Sequence, residues 1–360
     1  MSRVLIARAS YRDCRGAIEE ALAAFPLAIR GRKVLVKVNA MEGTEPEAGV
    51  ITHPAFLRAL VGVLEEMGPG QIMVGDNPAM PFCGRNEAAF KVTGLWEAAG
   101  RHYENLGREA RLVPFDPAYI KSVYVSKALL DADVVISVPK FKTHARAGIS
   151  VALKNSYGIL PGAQKANIHH RVPAPLDFAR MLVQVFRLRP PDLIIVDGIL
   201  AGQGQGPHSV DLRYLGLVMA SDNAVALDAT IARMIGYEPE QVPLLHYAQE
   251  LGVGSYREED IEVVGPFAPI PGFRIPPLAD LNSTEPINYL IRGLIGEMPF
   301  YRPKIDASRC DGCRLCADGC PPGALTMSEG LPRLDASLCV PCFCCQEVCP
   351  QQAIVLSKPG

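Results

Sequence analysis

The chain has 360 residues, of which 49% are hydrophobic and 21% charged, and its formal net charge is −2. That length predicts two or three domains with a sizeable core, and the even charge balance gives no general pull toward nucleic acid or an anionic membrane. No apolar run approaches the roughly 18 residues that a membrane-spanning helix needs, and the first 25 or so residues read as a strand and an amphipathic helix rather than a signal peptide, so a cytoplasmic protein is expected.

Up to about residue 265, short β-branched runs alternate with helical periodicity. Strands are expected at VLIAR from Val4, VLVKVN from Val34, IMVGD from Ile72, DVVISVP from Asp133, LIIVDGI from Leu193, LGLVMAS from Leu215 and IEVVG from Ile261. Most are near-continuous apolar runs, as strands buried on both faces should be. Helices are expected at PAFLRALVGVLEEMG, with Pro54 as first helical residue and Gly68 as the stop, at PLDFARMLVQVFRL and at NAVALDATIARMIG. This alternation predicts an α/β domain over residues 1–265, a mostly parallel sheet flanked by helices.

Polar residues stand at the ends of several of these strands: Lys37 and Asn39, Asp76 and Asn77, and Asp197. Ligands of α/β domains bind beyond the carboxyl ends of parallel strands, which makes Lys37, Asn39, Asp76 and Asp197 candidate cofactor-binding residues. Each also reads as a cap, a turn residue or a surface charge.

The stretch from Lys140 to Arg171, KFKTHARAGISVALKNSYGILPGAQKANIHHR, holds six Lys or Arg and three of the seven histidines, and no Asp or Glu. It follows the expected strand DVVISVP, and Gly158 and Gly162 permit tight turns. A small anionic ligand is expected here, with Lys140, Lys142 and Asn155 as binding residues. His144, Lys154, His169 and His170 are the candidate catalytic residues: imidazole moves protons near neutral pH, and a desolvated lysine holds an anion or acts as base or covalent anchor. Lys154 is placed on a helix from about Ile149 to Tyr157. The bland alternative is a solvated basic loop with Lys154 in water. GQGQGP from Gly202 is not a dinucleotide fingerprint, and neither a Walker A run nor G-x-S-x-G occurs.

From residue 266 to 303 the sequence turns proline-rich and reads as a linker. Nine of the eleven cysteines then fall between Cys310 and Cys349. Cys310-x2-Cys313-x2-Cys316-x3-Cys320-Pro321 and Cys339-x2-Cys342-x2-Cys345-x3-Cys349-Pro350 repeat one pattern, 29 residues apart. This is the bacterial ferredoxin spacing, in which the fourth cysteine ligates the other cluster. Two [4Fe–4S] clusters are expected in residues 304–360, one on Cys310, Cys313, Cys316 and Cys349, the other on Cys339, Cys342, Cys345 and Cys320. Zinc sites prefer two C-x2-C pairs with a longer spacer and fit poorly. Cys344 is outside the pattern and reads as a small buried hydrophobe.

The region around Ile305 to Leu356 resembles the two-cluster bacterial ferredoxins, which implies single-electron transfer with a redox partner protein. The elements KVN, THP, GDNP, VPKFKTH, LKNSYGILPG, GQGQGP and SDNAVALDA resemble the domain-of-unknown-function family 362 over about residues 3 to 265. That resemblance implies an α/β domain often fused to a ferredoxin module, with no settled reaction. A weaker likeness joins His144-x2-Ala147-Gly148-x-Ser150-x3-Lys154, Leu160-Pro161-Gly162 and His169-His170 to the nickel-pincer lactate racemases. There the matching lysine anchors the cofactor, and the matching histidines bind nickel or move protons. Extra residues before Leu160, the Gly-Asp-Asn-Pro turn at Gly75 and the added ferredoxin module depart from that pattern, so the Lys/His cleft carries over and the nickel cofactor does not. Three functions compete: a ferredoxin-fused oxidoreductase, a non-redox proton-transfer enzyme such as an epimerase with structural clusters, and a carrier subunit that docks a partner enzyme.

The spacing predicts eight irons and eight sulfides per chain, with both clusters retained in Cys344→Ala. Iron and sulfide analysis of an anaerobic preparation giving half these values would sink the two-cluster expectation.

Overall fold

The computed structural model describes residues 1–360 apart from 42, 80–81, 83–84, 117, 146, 163, 166–167, 169–171, 173–174, 205, 208–210, 278–301, 319, 321–322, 340–343, 348 and 358–360. The larger part of the chain contributes β1 (Ser2–Arg8), β2 (Lys33–Lys37), β3 (Gln71–Gly75), β4 (Ala110–Pro114), β5 (Ser122–Ser126), β6 (Val134–Ser137), β7 (Lys140–His144), β8 (Gly148–Ile149), β9 (Leu193–Gln203), β10 (Asp211–Ser221) and β11 (Ile261–Val264). Its helices are α1 (Arg15–Ala24), α2 (Pro54–Glu66), α3 (Asn86–Val92), α4 (Leu95–Ala99), α5 (Lys127–Leu130), α6 (Ala152–Asn155), α7 (Pro175–Leu188), α8 (Ala224–Ile235) and α9 (Pro243–Glu250). None of the described helices is long and apolar enough to cross a membrane.

The main sheet runs β11-β1-β10-β9-β6-β2-β3, with β7 joining β9 and β8 pairing with β7. Strands β3, β2, β6 and β9 are mutually parallel, as are β7 with β9 and β1 with β11. Only β10 runs against both of its neighbours in the main order, β9 and β1. The mostly parallel α/β fold expected from the apolar runs is therefore present.

Alternation along the strands feeds two cores. Val4 and Ile6, Leu35, Met73, Val135, and Ile194 with Val196 face one core with α7, α8 and α9. Their neighbours Leu5 and Ala7, Val34 and Val36, Ile72 and Val74, Val134 and Ile136, and Leu193 with Ile195 face the other, with α1, α2 and α4. A period of two on a strand covered by helices on both sides produces an unbroken apolar run.

Helix boundaries follow their caps. Pro54 opens α2, and the ring of His53 accepts the amide N–H of Ala55. Asn223 accepts the amide N–H groups of Val225 and Ala226 at the start of α8, and Gly236 closes it at φ 95°.

Three local readings need correction. The helix placed from about Ile149 to Tyr157 is only α6, Ala152–Asn155, followed by a 3-10 turn over Ser156–Ile159. The reason is that the preceding residues are committed to strand pairing: Gly148 and Ile149 face His144 and Thr143, and the Ser150 amide donates to the Lys142 carbonyl. KFKTH, for which the sequence pattern predicts no element and a solvated loop is only the bland alternative, is strand β7, added beside β9. Strand β10 starts at Asp211, before LGLVMAS, with a register break between Tyr214 and Leu217 where Gly216 takes φ 65°.

The first residues of the proline-rich stretch lie against the α/β domain. Phe273 is buried with its ring centroid 5.8 Å from Phe141, and the Tyr237 hydroxyl donates to the Pro276 carbonyl. Near the carboxyl end, β12 (Arg302–Ile305) pairs with β15 (Ile354–Ser357), and β13 (Leu325–Ser328) with β14 (Leu331–Leu334), all antiparallel. Two one-turn helices follow the cysteine loops, α10 (Leu315–Asp318) and α11 (Cys344–Glu347).

Phe273→Ala should destabilise the α/β domain by about 3 kcal/mol, the usual cost of emptying a buried phenylalanine site. Urea denaturation followed by far-ultraviolet circular dichroism measures it, and a loss below about 0.5 kcal/mol would show that the strap packs without stabilising.

Candidate functional site

The candidate site gathers at the carboxyl ends of β2, β3, β6 and β7. Lys37, the last residue of β2, is buried, and its ammonium pairs with the Asp76 carboxylate just past β3 at 2.9 Å. The same ammonium donates to Asn155 Oδ1 at 2.9 Å and to the Val38 carbonyl at 3.0 Å. Asn155 Oδ1 also accepts from the Asn39 amide at 3.1 Å, while Asn155 Nδ2 donates to Ser137 Oγ at 2.9 Å. Asp76 accepts the backbone N–H groups of Ala40 and Asn77. Burial holds the Lys37 ammonium below the usual lysine range, against the pull of Asp76. Lys37, Asn39, Asp76 and Asn155 are thus one hydrogen-bonded unit.

Lys140 and Lys142 alternate on β7, so both point to one face. The Lys140 ammonium pairs with Asp197 at 3.0 Å, both side chains being 0% exposed. Tyr11 closes this second pair: its hydroxyl accepts from Lys140 at 2.6 Å and donates to Asp197 at 3.0 Å. The Tyr11 ring stacks on His53 with centroids 3.7 Å apart, and the His53 amide donates to Asp197. The Lys142 ammonium rests on the Val50 carbonyl at 2.5 Å, Asn39 Oδ1 at 3.3 Å and Met41 Sδ at 3.6 Å.

Lys154 and Lys165 are different. Lys165 is buried and donates to the carbonyls of Asn77 and Pro78, at 2.5 and 2.8 Å. The Lys154 side chain is partly buried, and among the described residues none hydrogen-bonds or ion-pairs with it. Burial first, then the charges of Lys37 and Lys165, lower its pKa to about 8. Among the described residues the carboxylates paired in this cluster are Asp76 and Asp197, so Lys154 and Lys165 add positive charge with no acidic partner.

Gly158 in the loop after α6 lies directly over the first pair. A Cβ there would stand 2.1 Å from Asp76 Oδ1 and 2.6 Å from Lys37 Nζ. The Gly158 carbonyl accepts from Asn77 Nδ2 at 2.8 Å, which ties the loop to the Gly-Asp-Asn-Pro turn.

His144 is buried at the end of β7, on the face shared by Lys140 and Lys142. His169 and His170 lie outside the described residues, so the Lys/His grouping is seen only in its lysines and His144. Sequence reasoning passed over Lys165, Tyr11, His53 and Asp228. Lys165 lay within the acid-free stretch, and Asp228 is an acid inside an apolar helical run. His53 lay in the THP element without a role of its own, and Tyr11 carried no local signal.

In the carboxyl-terminal region, Cys310, Cys313, Cys316 and Cys349 line one cavity together with Met327, Pro332 and Ile354. Cys316 and Cys349 are buried, Cys310 is half-buried and Cys313 is exposed. Burial pushes the Cys316 thiol up to about 11, and its neighbours Cys349, Cys313 and Cys310 push the same way. Cys349 thus joins the first three cysteines across the repeat, as the ferredoxin spacing requires. Among the described residues no three His, Cys, Asp or Glu side chains are grouped to hold a single metal ion. The amides of Ala324 and Ala353 donate to the sulfurs of Cys320 and Cys349, both at 3.2 Å. Cys339, Cys345 and Cys320 are described, and Cys342 is not.

Comparison with known proteins agrees with this division. The family described as "Domain of unknown function (DUF362)" matches residues 34–233, and a "4Fe-4S binding domain" matches residues 302–325. The chain is 32% identical over 237 residues to "Thylakoid-associated protein sll1697" of Synechocystis sp., covering 64% of this chain and 71% of that relative. Among solved structures, the lactate racemase apoprotein from Thermoanaerobacterium thermosaccharolyticum aligns with a TM-score of 0.39 at 11% identity, over 63% of this chain and 55% of that one. A Thermotoga maritima protein aligns with a TM-score of 0.37 at 13% identity, over 67% and 58%.

Two glycine substitutions test the site's packing. Gly158→Ala should cost about 1–3 kcal/mol, because the new methyl displaces the Lys37–Asp76 pair. Gly16→Ala, in α1 with open space around it, should stabilise by about 0.5–1 kcal/mol. Thermal unfolding of both proteins gives the comparison, and equal melting temperatures would show that the loop yields freely over the pair.

Proposed function

We propose a redox function for this chain, which belongs to the DUF362 family and carries a 4Fe–4S binding domain: an anionic substrate or cofactor is held by the lysines of the α/β domain and exchanges single electrons with two [4Fe–4S] clusters. The observation that carries this reading is the surplus of positive charge at Lys154 and Lys165, close to two internally neutralised Lys–Asp pairs. An ammonium taken out of water without a counter-ion is costly, and a bound carboxylate or phosphate supplies one.

Cys310, Cys313, Cys316 and Cys349 would hold the first cluster, and Cys339, Cys342, Cys345 and Cys320 the second. When bound, these clusters supply one-electron transfer. Lys154 binds the anion and can donate a proton while charged, and accepts a proton while neutral; His144, buried at the end of β7, offers an imidazole for the same task. The β4–β5 hairpin gives the two parts a physical link. Ala110 packs against the core around Cys316 and Cys349, and the Tyr124 backbone exchanges two hydrogen bonds with the Gln164 side chain, next to Lys165. In this reading the protein is cytoplasmic, meets a redox partner protein, and engages neither nucleic acid nor membrane.

A second reading has one observation in its favour. A lysine whose pKa falls to about 8 is suited to act as a base, as a non-redox racemase or epimerase would need. Turnover with the clusters held oxidised would favour it, and turnover only with a reductant such as reduced methyl viologen would favour the redox reading.

Calorimetric titration with inorganic phosphate tests the anion site. Lys154→Ala should weaken binding at least about tenfold while the visible absorption of the clusters is unchanged. In the wild type, binding should weaken as pH rises through about 8, because Lys154 loses its charge there. Stability should move the other way: the folded pKa lies below the unfolded value of about 10.4, so the penalty for a charged Lys154 disappears between about pH 8 and that value. Phosphate affinity indifferent to both the substitution and pH would defeat the reading.

A further inference from the structure

We infer that Asp228 is a positioning residue for Lys154: its carboxylate, buried within α8, holds the first turn of α6 and so fixes where the Lys154 ammonium stands. The inference rests on the reading of Lys154 as the working cation of the site.

Helix α8 is buried along almost its whole length, and an aspartate in its middle is out of place on grounds of solvation alone. Asp228 is 0% exposed. One of its oxygens accepts the amide N–H of Ala152 at 2.8 Å, and the other accepts that of Leu153 at 3.0 Å. These are the first two residues of α6. No cation pairs with Asp228 among the described residues, so its hydrogen bonds are spent on this one helix end. Burial pushes the carboxyl up to about 7, opposed by the same two N–H groups.

Helix α6 has four residues, far short of the 12 or so at which an isolated helix holds its shape. Its place is therefore dictated by what grips its two ends. At the start the grip is Asp228. At the end it is Asn155, whose side chain joins Lys37, Asn39 and Ser137. Lys154 stands between these anchors in sequence, and its burial and exposure to the charges of Lys37 and Lys165 depend on both. A carboxylate suits the task because it presents two acceptors and no donor. An asparagine would turn an amide N–H2 toward one of the two N–H groups.

The test reads Lys154 itself and needs no ligand. Competitive acetylation of the full-length protein with acetic anhydride across pH, resolved by peptide mass spectrometry, gives the midpoint of Lys154 ionisation. In the wild type it should lie near 8. In Asp228→Asn it should rise by about one unit or more toward the ordinary lysine value of about 10.4, as Lys154 gains water and moves away from Lys37 and Lys165. Thr230→Ala is the control on the same helix, because its hydroxyl bonds only back to the Ala226 carbonyl. It should leave the midpoint in place. A wild-type midpoint in Asp228→Asn, with stability lowered no more than in the control, would overturn the inference and leave Asp228 a packing residue. Should Asp228→Asn fail to fold, amide hydrogen exchange in the wild type decides. Protected Ala152 and Leu153 amides support the clamp, and exchange at the rate of an open loop overturns it. If Lys154→Ala leaves phosphate binding intact, the anion site fails while this labelling result still stands or falls by itself.

Discussion

An ammonium cannot leave water without oxygen atoms around it, and the architecture beyond the sheet's carboxyl edge is organised by that requirement. Lys37 and Lys140 each take a carboxylate from a neighbouring strand, Asp76 just past the end of β3 and Asp197 within β9. Lys142 and Lys165 take backbone carbonyls from the turns that approach them. These demands draw in the loops around Met41, Val50, Asn77 and Gly158, so the turns are shaped as much by the lysines beneath them as by their own residues. Lys154 alone in this cluster is left without such a shell, and that asymmetry sets it apart from the structural lysines. Two internally compensated pairs are scaffolding, and they set the potential felt by the third site.

The fold was largely legible in the sequence because its strands are buried on both faces. An apolar run such as VLIAR or LIIVD finds its place between two layers of helices, and α2 announced itself through Pro54. What stayed hidden was structure created by tertiary contact. KFKTH reads as a polar loop, but its lysines are satisfied inside, so it forms strand β7. The short extent of α6 could not be inferred from helical spacing, because strand pairing before it and Asp228 beside it decide where it begins. At the site, Lys37, Asn39 and Asp76 were found by their positions at strand ends, Lys140 and Asn155 by the acid-free basic stretch, and Asp197 by an expected strand end, although β9 runs on past it to Gln203. Their mutual pairing was not, since partners such as Lys140 and Asp197 lie 57 residues apart. The Tyr11–His53 stack likewise joins residues that no local pattern connects.

The cysteine region follows a different logic. There the information is in the spacing, and three of the four cysteines that line the cavity are close in sequence. The fourth, Cys349, comes from the second repeat. That Cys349 lines the cavity of Cys310, Cys313 and Cys316 ties the two repeats into one folding unit, with little apolar core beyond the thiols themselves.

The position of β1 has a consequence for synthesis on the ribosome. This amino-terminal strand lies between β10 and β11, which are the last strands of the main sheet to be translated. At ordinary elongation rates of about 5–20 residues per second, VLIAR waits on the order of 10–50 s before either neighbour exists. Over that interval an apolar strand with two open edges travels with the nascent polypeptide. The half-sheet β2, β3 and β6, by contrast, is complete once residue 137 has emerged. The β2–β3–β6 half-sheet can therefore assemble before β1 finds its neighbours, and a holding chaperone would have a natural target in VLIAR.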